Sequence, residues 1–139
     1  MTIAELSQFY HITREIADLR RRIRELELKA QPGAARMSGM PGGGGVADPT
    51  GDLAAELAEA RQRLSDELRQ RRSERARLEW YIRGVPDAYI RRIMRFRYVD
   101  GLSWQAVAFR MGGKNTASGV RMAVFRYVER SEKNGNKDV

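Results

Sequence analysis

The chain contains no cysteine and a single histidine, His11. A disulfide framework, a thiolate metal site and a nucleophilic thiol are therefore excluded, and no second imidazole is present to build a histidine-based zinc site. The acidic residues show no metal-ligand spacing, so the reading assigns no catalytic residue, no metal and no cofactor. No apolar run approaches the roughly 18 residues of a membrane-spanning helix. The first residues lack a basic start followed by an apolar core, so no secretory signal is visible. At 139 residues, the chain has the scale of one domain or of one small domain with an extended attachment.

Charge, by contrast, is abundant and lopsided. The chain holds 26 basic and 18 acidic residues, a net charge of +8, and residues 86–139 alone hold 11 basic and 5 acidic. That asymmetry points to a polyanion facing the last third of the chain, nucleic acid first and an anionic membrane surface second. The competing interpretation is a solvated basic face with no partner.

Apolar residues recur at Leu6, Phe9, Ile12, Ile16, Leu19, Ile23 and Leu26, the stripe of a helix over Ile3 to Lys29 that would be about 40 Å long. Between Gln31 and Gly51 lie seven glycines and three prolines, a composition that supports no regular element and reads as a connector. It lacks the Lys-Ser/Thr pair of a phosphate-binding loop. Asp48, with Pro49 in the first helical position, reads as a helix start, and Asp52 is a second candidate cap. The next helix, through Leu53, Leu57, Ala60, Leu64, Leu68, Leu78 and Ile82, has an imperfect register, favouring a short hairpin over a long regular supercoil. Neither helix can bury its stripe alone, so an antiparallel hairpin is expected, with homo-oligomers (a dimer or higher) through the same surfaces.

Gly84-Val85-Pro86-Asp87 breaks the pattern. Asp87 can cap a helix with Ile90, Ile93, Met94 and Tyr98 inward and Arg91, Arg92, Arg95 and Arg97 on its other faces. Asp100-Gly101 reads as a turn. Ser103 can cap a short helix with Trp104, Val107, Ala108 and Met111 inward, ended by Gly112-Gly113. Asn115 or Thr116 can cap a third helix through Val120, Val124, Tyr127 and Val128. Two helices joined by a short glycine-containing turn and braced by a third form a helix-turn-helix arrangement.

The stretch Arg95-Phe96-Arg97-Tyr98-Val99-Asp100-Gly101-Leu102-Ser103-Trp104-Gln105-Ala106-Val107-Ala108, with Met111-Gly112 and Asn115-Thr116 leading to Val120-Arg121, resembles region 4 of sigma-70-type factors. In particular it resembles small phage and prophage proteins with such a module, related to late-gene transcription regulators of the RinA and ArpU type. The loop Met37-Ser38-Gly39-Met40-Pro41-Gly42 with Asp48-Pro49-Thr50 is similar to the linker of one branch of that group. The resemblance covers most of the chain and implies duplex DNA or RNA polymerase as partner, in the cytoplasm of a bacterial host. In the family pattern, the first turn of the recognition helix and one residue of its second turn present long polar side chains to base edges. The corresponding positions here are Ala117, Ser118, Gly119 and Met122, of which only Ser118 has a hydrogen-bonding side chain, so weak base reading is expected.

The fold expected is all-α: a long antiparallel, coiled-coil-like helical hairpin over 1–85, a helix-turn-helix module over 86–131, and a frayed tail over 132–139. The expected function is a non-enzymatic, phage-type transcription regulator that binds duplex DNA, with no membrane involvement. Its candidate DNA-contacting residues are Arg91, Arg92, Arg110, Lys114, Asn115, Thr116, Ser118, Arg121, Met122, Phe125 and Arg126. Met122 and Phe125 lie off the core stripe, where they either touch thymine methyls or are covered by other helices. Two alternatives stand beside this reading. One is an adaptor that binds RNA polymerase with little DNA contact; the other is a packaging initiator resembling small terminase subunits. For Trp80 and Tyr81, junction packing is favoured over stacking on single-stranded bases. Tyr10 and Tyr89 are left without a role, and His11 is expected on a helix surface.

Overall fold

The computed structural model describes residues 1–31 and 49–137, and every regular element among them is helical. The expected connector and the cap at Asp48 lie outside the described residues. Helix α1 spans Ile3–Lys29 and α2 spans Pro49–Arg83. Then follow α3 (Ala88–Met94), which runs on into a π-helical turn over Arg95–Val99, α4 (Trp104–Met111) and α5 (Ala117–Lys137). None of these helices is long and apolar enough to cross a membrane.

Helix starts are set by local side-chain chemistry. At the head of α1, the Thr2 N–H donates to the Glu5 carboxylate at 3.0 Å and the Glu5 N–H donates to Thr2 Oγ1 at 3.1 Å. This is a capping box, in which two otherwise orphaned donors are satisfied reciprocally. Asp87 caps α3 by accepting from the Tyr89 N–H at 2.8 Å, and Ser103 caps α4 by accepting from the Ala106 N–H at 3.2 Å. Of the two candidates before α5, Thr116 is the cap: its Oγ1 accepts from the Gly119 N–H at 3.0 Å.

The chain divides into two compact units. One is formed by Met1–Arg14 together with the chain from Arg72 onward, the other by Glu15–Arg71. The sequence pattern suggests segments at 1–85, 86–131 and 132–139; by packing, both long helices contribute to both units. In the Glu15–Arg71 unit, Ile23, Leu26 and Ala60 are buried, with Leu53, Leu57 and Leu64 packed against them. Cross-helix ion pairs Arg22–Glu56 (3.5 Å) and Arg61–Glu27 (2.9 Å) flank this small core. In the other unit, Leu6 and Phe9 of α1 and Leu78 and Ile82 of α2 share a core with Ile90, Ile93, Met94, Tyr98, Val107, Val120, Val124 and Val128. Within each unit the helix partners are compatible with an antiparallel hairpin, early α1 against late α2 and late α1 against early α2.

The first fourteen residues thus belong to the core of the C-terminal helices. The Thr13 hydroxyl donates to the Tyr98 carbonyl at 3.0 Å, satisfying an acceptor freed where the π turn ends. Gly101, at φ +71°, makes the next turn, and a Cβ there would come within 2.9 Å of Thr13 Cγ2. Both the left-handed backbone and the close approach of α1 therefore require glycine. At the other end of the chain, α5 continues through Lys137 over the described part of the tail expected at 132–139, whose last two residues lie outside the described residues. Residues 129–137 contain no proline and a single glycine, Gly135, so nothing in them stops a helix already propagating from a buried segment.

Candidate nucleic-acid interface

Helices α4 and α5 are joined through the Gly112-Gly113 turn and α3 packs against both, an arrangement compatible with the expected helix-turn-helix. Gly112 ends α4 at φ +76°, its N–H donating to the Ala108 and Phe109 carbonyls, and Gly113 follows at φ +62°. Consecutive left-handed residues are tolerated here because both are glycine. Val120, Val124 and Val128 bury one face of α5 completely, leaving Ser118, Gly119, Arg121, Met122 and Arg126 exposed on the others.

The structure sorts the candidate contact residues into two groups. Arg92, Arg110, Lys114, Ser118, Arg121, Met122 and Arg126 are exposed. Arg91, Asn115, Thr116 and Phe125 already serve the module itself. The Arg91 guanidinium is half-buried and donates to the Val85 carbonyl at 2.7 Å. The Asn115 amide donates to the Gly112 carbonyl at 2.6 Å and accepts from the Tyr89 hydroxyl at 2.7 Å, tying the turn to α3. Thr116 is engaged as the α5 cap. Phe125 is half-buried and meets Trp104 edge to face at 6.2 Å, so of the two apolar candidates only Met122 presents an open side chain.

Gly119 has a local explanation. A Cβ at this position would lie 2.9 Å from Thr116 Oγ1, the oxygen that caps the helix. Glycine therefore leaves room for the cap rather than for an approaching ligand backbone.

The sequence pattern puts Arg97 on an outer face, whereas in the structure it is half-buried among aromatic rings. Its guanidinium lies 3.5 Å from the Tyr10 ring centroid and 4.5 Å from that of Trp104, and it donates to the Leu102 carbonyl at 3.0 Å. Burial lowers its pKa and the neighbouring Tyr10 acts in the opposite direction. Tyr10 thereby gains a role the sequence left open. The π turn that carries Arg97 was also not foreseen; its N–H to carbonyl bond, from Asp100 to Arg95, spans five residues.

Trp80 requires a further correction. Its sequence context favours junction packing, yet it is 74 % exposed, whereas its neighbour Tyr81 is half-buried. Another large apolar residue stands open on α4 itself: Phe109 is 85 % exposed, beside Arg110. The sequence signal for Phe109 was its absence from the Trp104, Val107, Ala108, Met111 stripe. His11 is exposed, as expected for a helix-surface residue.

Charge compensation differs along the chain. Several arginines of α1 and α2 are paired with carboxylates, as in Arg22–Glu56, Arg61–Glu27, Arg75–Glu79 and Arg77–Glu5. Among the described residues no ion pair involves a residue after Glu79. From Gly101 to Val128 the sequence has Arg110, Lys114, Arg121 and Arg126 and no acidic residue. Each surface pair contributes little stability. Their distribution nevertheless marks where positive charge is left uncompensated among the described residues. Compared with known protein families, curated proteins and solved structures, the chain matches none.

Proposed function

We propose that this chain is a non-enzymatic transcription regulator of the phage type, acting in the bacterial cytoplasm and binding duplex DNA through α4 and α5. The observation that carries this reading is the uncompensated basic surface of the helix-turn-helix: four cations and no carboxylate from Gly101 to Val128, with every one of the four exposed. In this mode of docking the second helix of the pair enters the major groove. Arg110, Lys114, Arg121 and Arg126 then neutralise phosphates, a contact type that positions the protein without reporting sequence. Ser118 and Met122 are the side chains left to face base edges. A serine hydroxyl and a thioether cannot make the bidentate pairs that distinguish one base from another. Binding is therefore driven by the backbone, and sequence preference comes from DNA deformability or from a partner protein.

A second reading, an adaptor that docks on RNA polymerase, is favoured by Phe109. An 85 % exposed phenylalanine gains nothing from phosphate contact and suits an apolar protein surface. Pull-down of polymerase and fluorescence anisotropy on unrelated duplexes, both with the full chain, separate the two. Similar affinities for unrelated duplexes support the regulator. Polymerase capture that is lost on Phe109→Ser, with no duplex binding at any salt concentration, replaces it with the adaptor.

A further inference from the structure

A half-open cleft of about 400 Å³ lies between the end of α2 and the α3–π-turn segment. Its lining includes the buried Ile82, the half-buried Phe96 and Val99, and the exposed Arg83, Arg92 and Arg95. Two carboxylates, Glu79 and Asp100, also line it. Glu79 is already engaged, accepting from Arg75 Nε at 3.3 Å. Three arginines thus line one small space, and none of them is in an ion pair among the described residues. With both carboxylates counted the lining keeps one positive charge, and with Glu79 neutralised by Arg75 it keeps two. The second balance matches, with opposite sign, the charge of about −1.5 to −2 on a phosphate monoester at neutral pH.

The wall of the cleft is formed by an unusual piece of backbone. Arg95, Phe96 and Val99 all belong to the π-helical turn, and such turns inside α-helices frequently accompany functional sites. The widened turn presents Arg95, Phe96 and Val99 to one cavity. A volume of this order is at the lower end of what small-molecule sites occupy, too small for a macromolecular groove and sufficient for a mononucleotide-sized molecule.

We propose that this cleft binds a small organic phosphate with a flat apolar group, the phosphate held by Arg83, Arg92 and Arg95 and the flat group lying against Phe96. Arginine suits the first task because its planar fork grips phosphate oxygens bidentately. The site is separate from the face of α5 proposed for DNA: of the cleft residues only Arg92 was among the DNA candidates. A ligand here contacts α2 and α3 together, and α3 braces the helix-turn-helix, so occupancy is placed to act on the module.

Two-dimensional amide NMR of the full chain, titrated separately with adenosine monophosphate, inorganic phosphate and a short duplex, tests the proposal. Saturable shifts from adenosine monophosphate confined to residues 79–83 and 92–100, at lower concentration than inorganic phosphate requires, are expected. The Arg83→Ala/Arg95→Ala variant should weaken adenosine monophosphate binding by about tenfold or more for each lost charged contact. Its duplex affinity should stay unchanged, since neither residue lies on the DNA face. Phe96→Leu should remove the preference for adenosine monophosphate over inorganic phosphate while keeping a wild-type thermal melt. No saturable shift with either small phosphate overturns the proposal, as do shifts in the cleft caused only by the duplex, which would make these arginines part of the DNA surface. Failure of duplex binding with cleft binding intact would sink the DNA reading and leave this one standing.

Discussion

Arg97 stacks on Tyr10, its guanidinium carbon 3.5 Å from the ring centroid, and so joins the first turns of the chain to a helix more than eighty residues later. Trp104 covers the same cation at 4.5 Å and the Leu102 carbonyl accepts from it. Each cation–π contact contributes on the order of 0.5–2 kcal/mol, depending on desolvation. Lysine cannot lie flat against two rings while reaching a carbonyl. Arg97→Lys is therefore expected to destabilise the fold by about 1–3 kcal/mol, whereas Arg95→Lys at an exposed position should change stability by less than about 0.5 kcal/mol. Urea denaturation of both variants measures the difference.

The α5 cap yields a coupled prediction. Thr116→Ala removes a cap contributing about 1 kcal/mol. Gly119→Ala alone gains up to about 1 kcal/mol of helix propensity. That gain is offset because the new Cβ would sit 2.9 Å from the capping oxygen and displace it. In the Thr116→Ala background the conflict disappears, so Gly119→Ala should then stabilise by nearly the full propensity difference. A double-mutant cycle by thermal unfolding reads the coupling, and simple additivity would mean that Gly119 is not there to make room for the cap.

How far the sequence foretold the molecule depends on which forces a pattern records. Helix α1 begins and ends where its apolar stripe and the following Pro32-Gly33 place it, and Ser103 and Asp87 cap as their chemistry suggests. Arg97 is the instructive failure. Counting i, i+3, i+4, i+7 from Ile90 gives Ile93, Met94 and Arg97, so the periodicity pointed inward and only the charge argued outward. An arginine can be inward when aromatic faces receive it, and those faces come from Tyr10, remote in sequence, and from Trp104 on the next helix. Asn115 shows a different limit: a polar residue beside the third helix reads as a DNA contact, and only the structure shows its amide oxygen accepting from the Tyr89 hydroxyl. The π turn left no compositional trace. The basic face was legible because charge counts need no tertiary information; the cleft at Arg83, Arg92 and Arg95 was not, because it assembles two separate segments.

Stability should fall at both pH extremes for identifiable reasons. The hydrogen bond from the Thr2 N–H, with the Arg77 charge, holds the Glu5 carboxyl below its ordinary 4.5, against the opposing effect of desolvation. Because the folded value is the lower one, the carboxylate's contribution is fully present above pH 4.5 and is lost as pH falls through the depressed value. Glu5→Gln should show a shallower acid-side loss in unfolding followed by circular dichroism. Burial raises Tyr98 from 10.0 to about 12. Its contribution is complete below pH 10 and disappears as pH rises through about 12, so Tyr98→Phe should flatten the alkaline limb.

The central claim, that uncompensated cations on the helix-turn-helix hold duplex DNA by its phosphates, is tested most directly by the salt dependence of binding in the full chain. Four contacts, from Arg110, Lys114, Arg121 and Arg126, predict a slope of log K against log salt of about −3.6, since each neutralised phosphate contributes about −0.9. Arg121→Ala should flatten that slope to about −2.7 and weaken unrelated duplexes alike, while Ser118→Ala should leave both slope and affinity nearly unchanged. A slope that does not respond to Arg121→Ala, accompanied by a sharp sequence motif that vanishes on Ser118→Ala, would contradict the account.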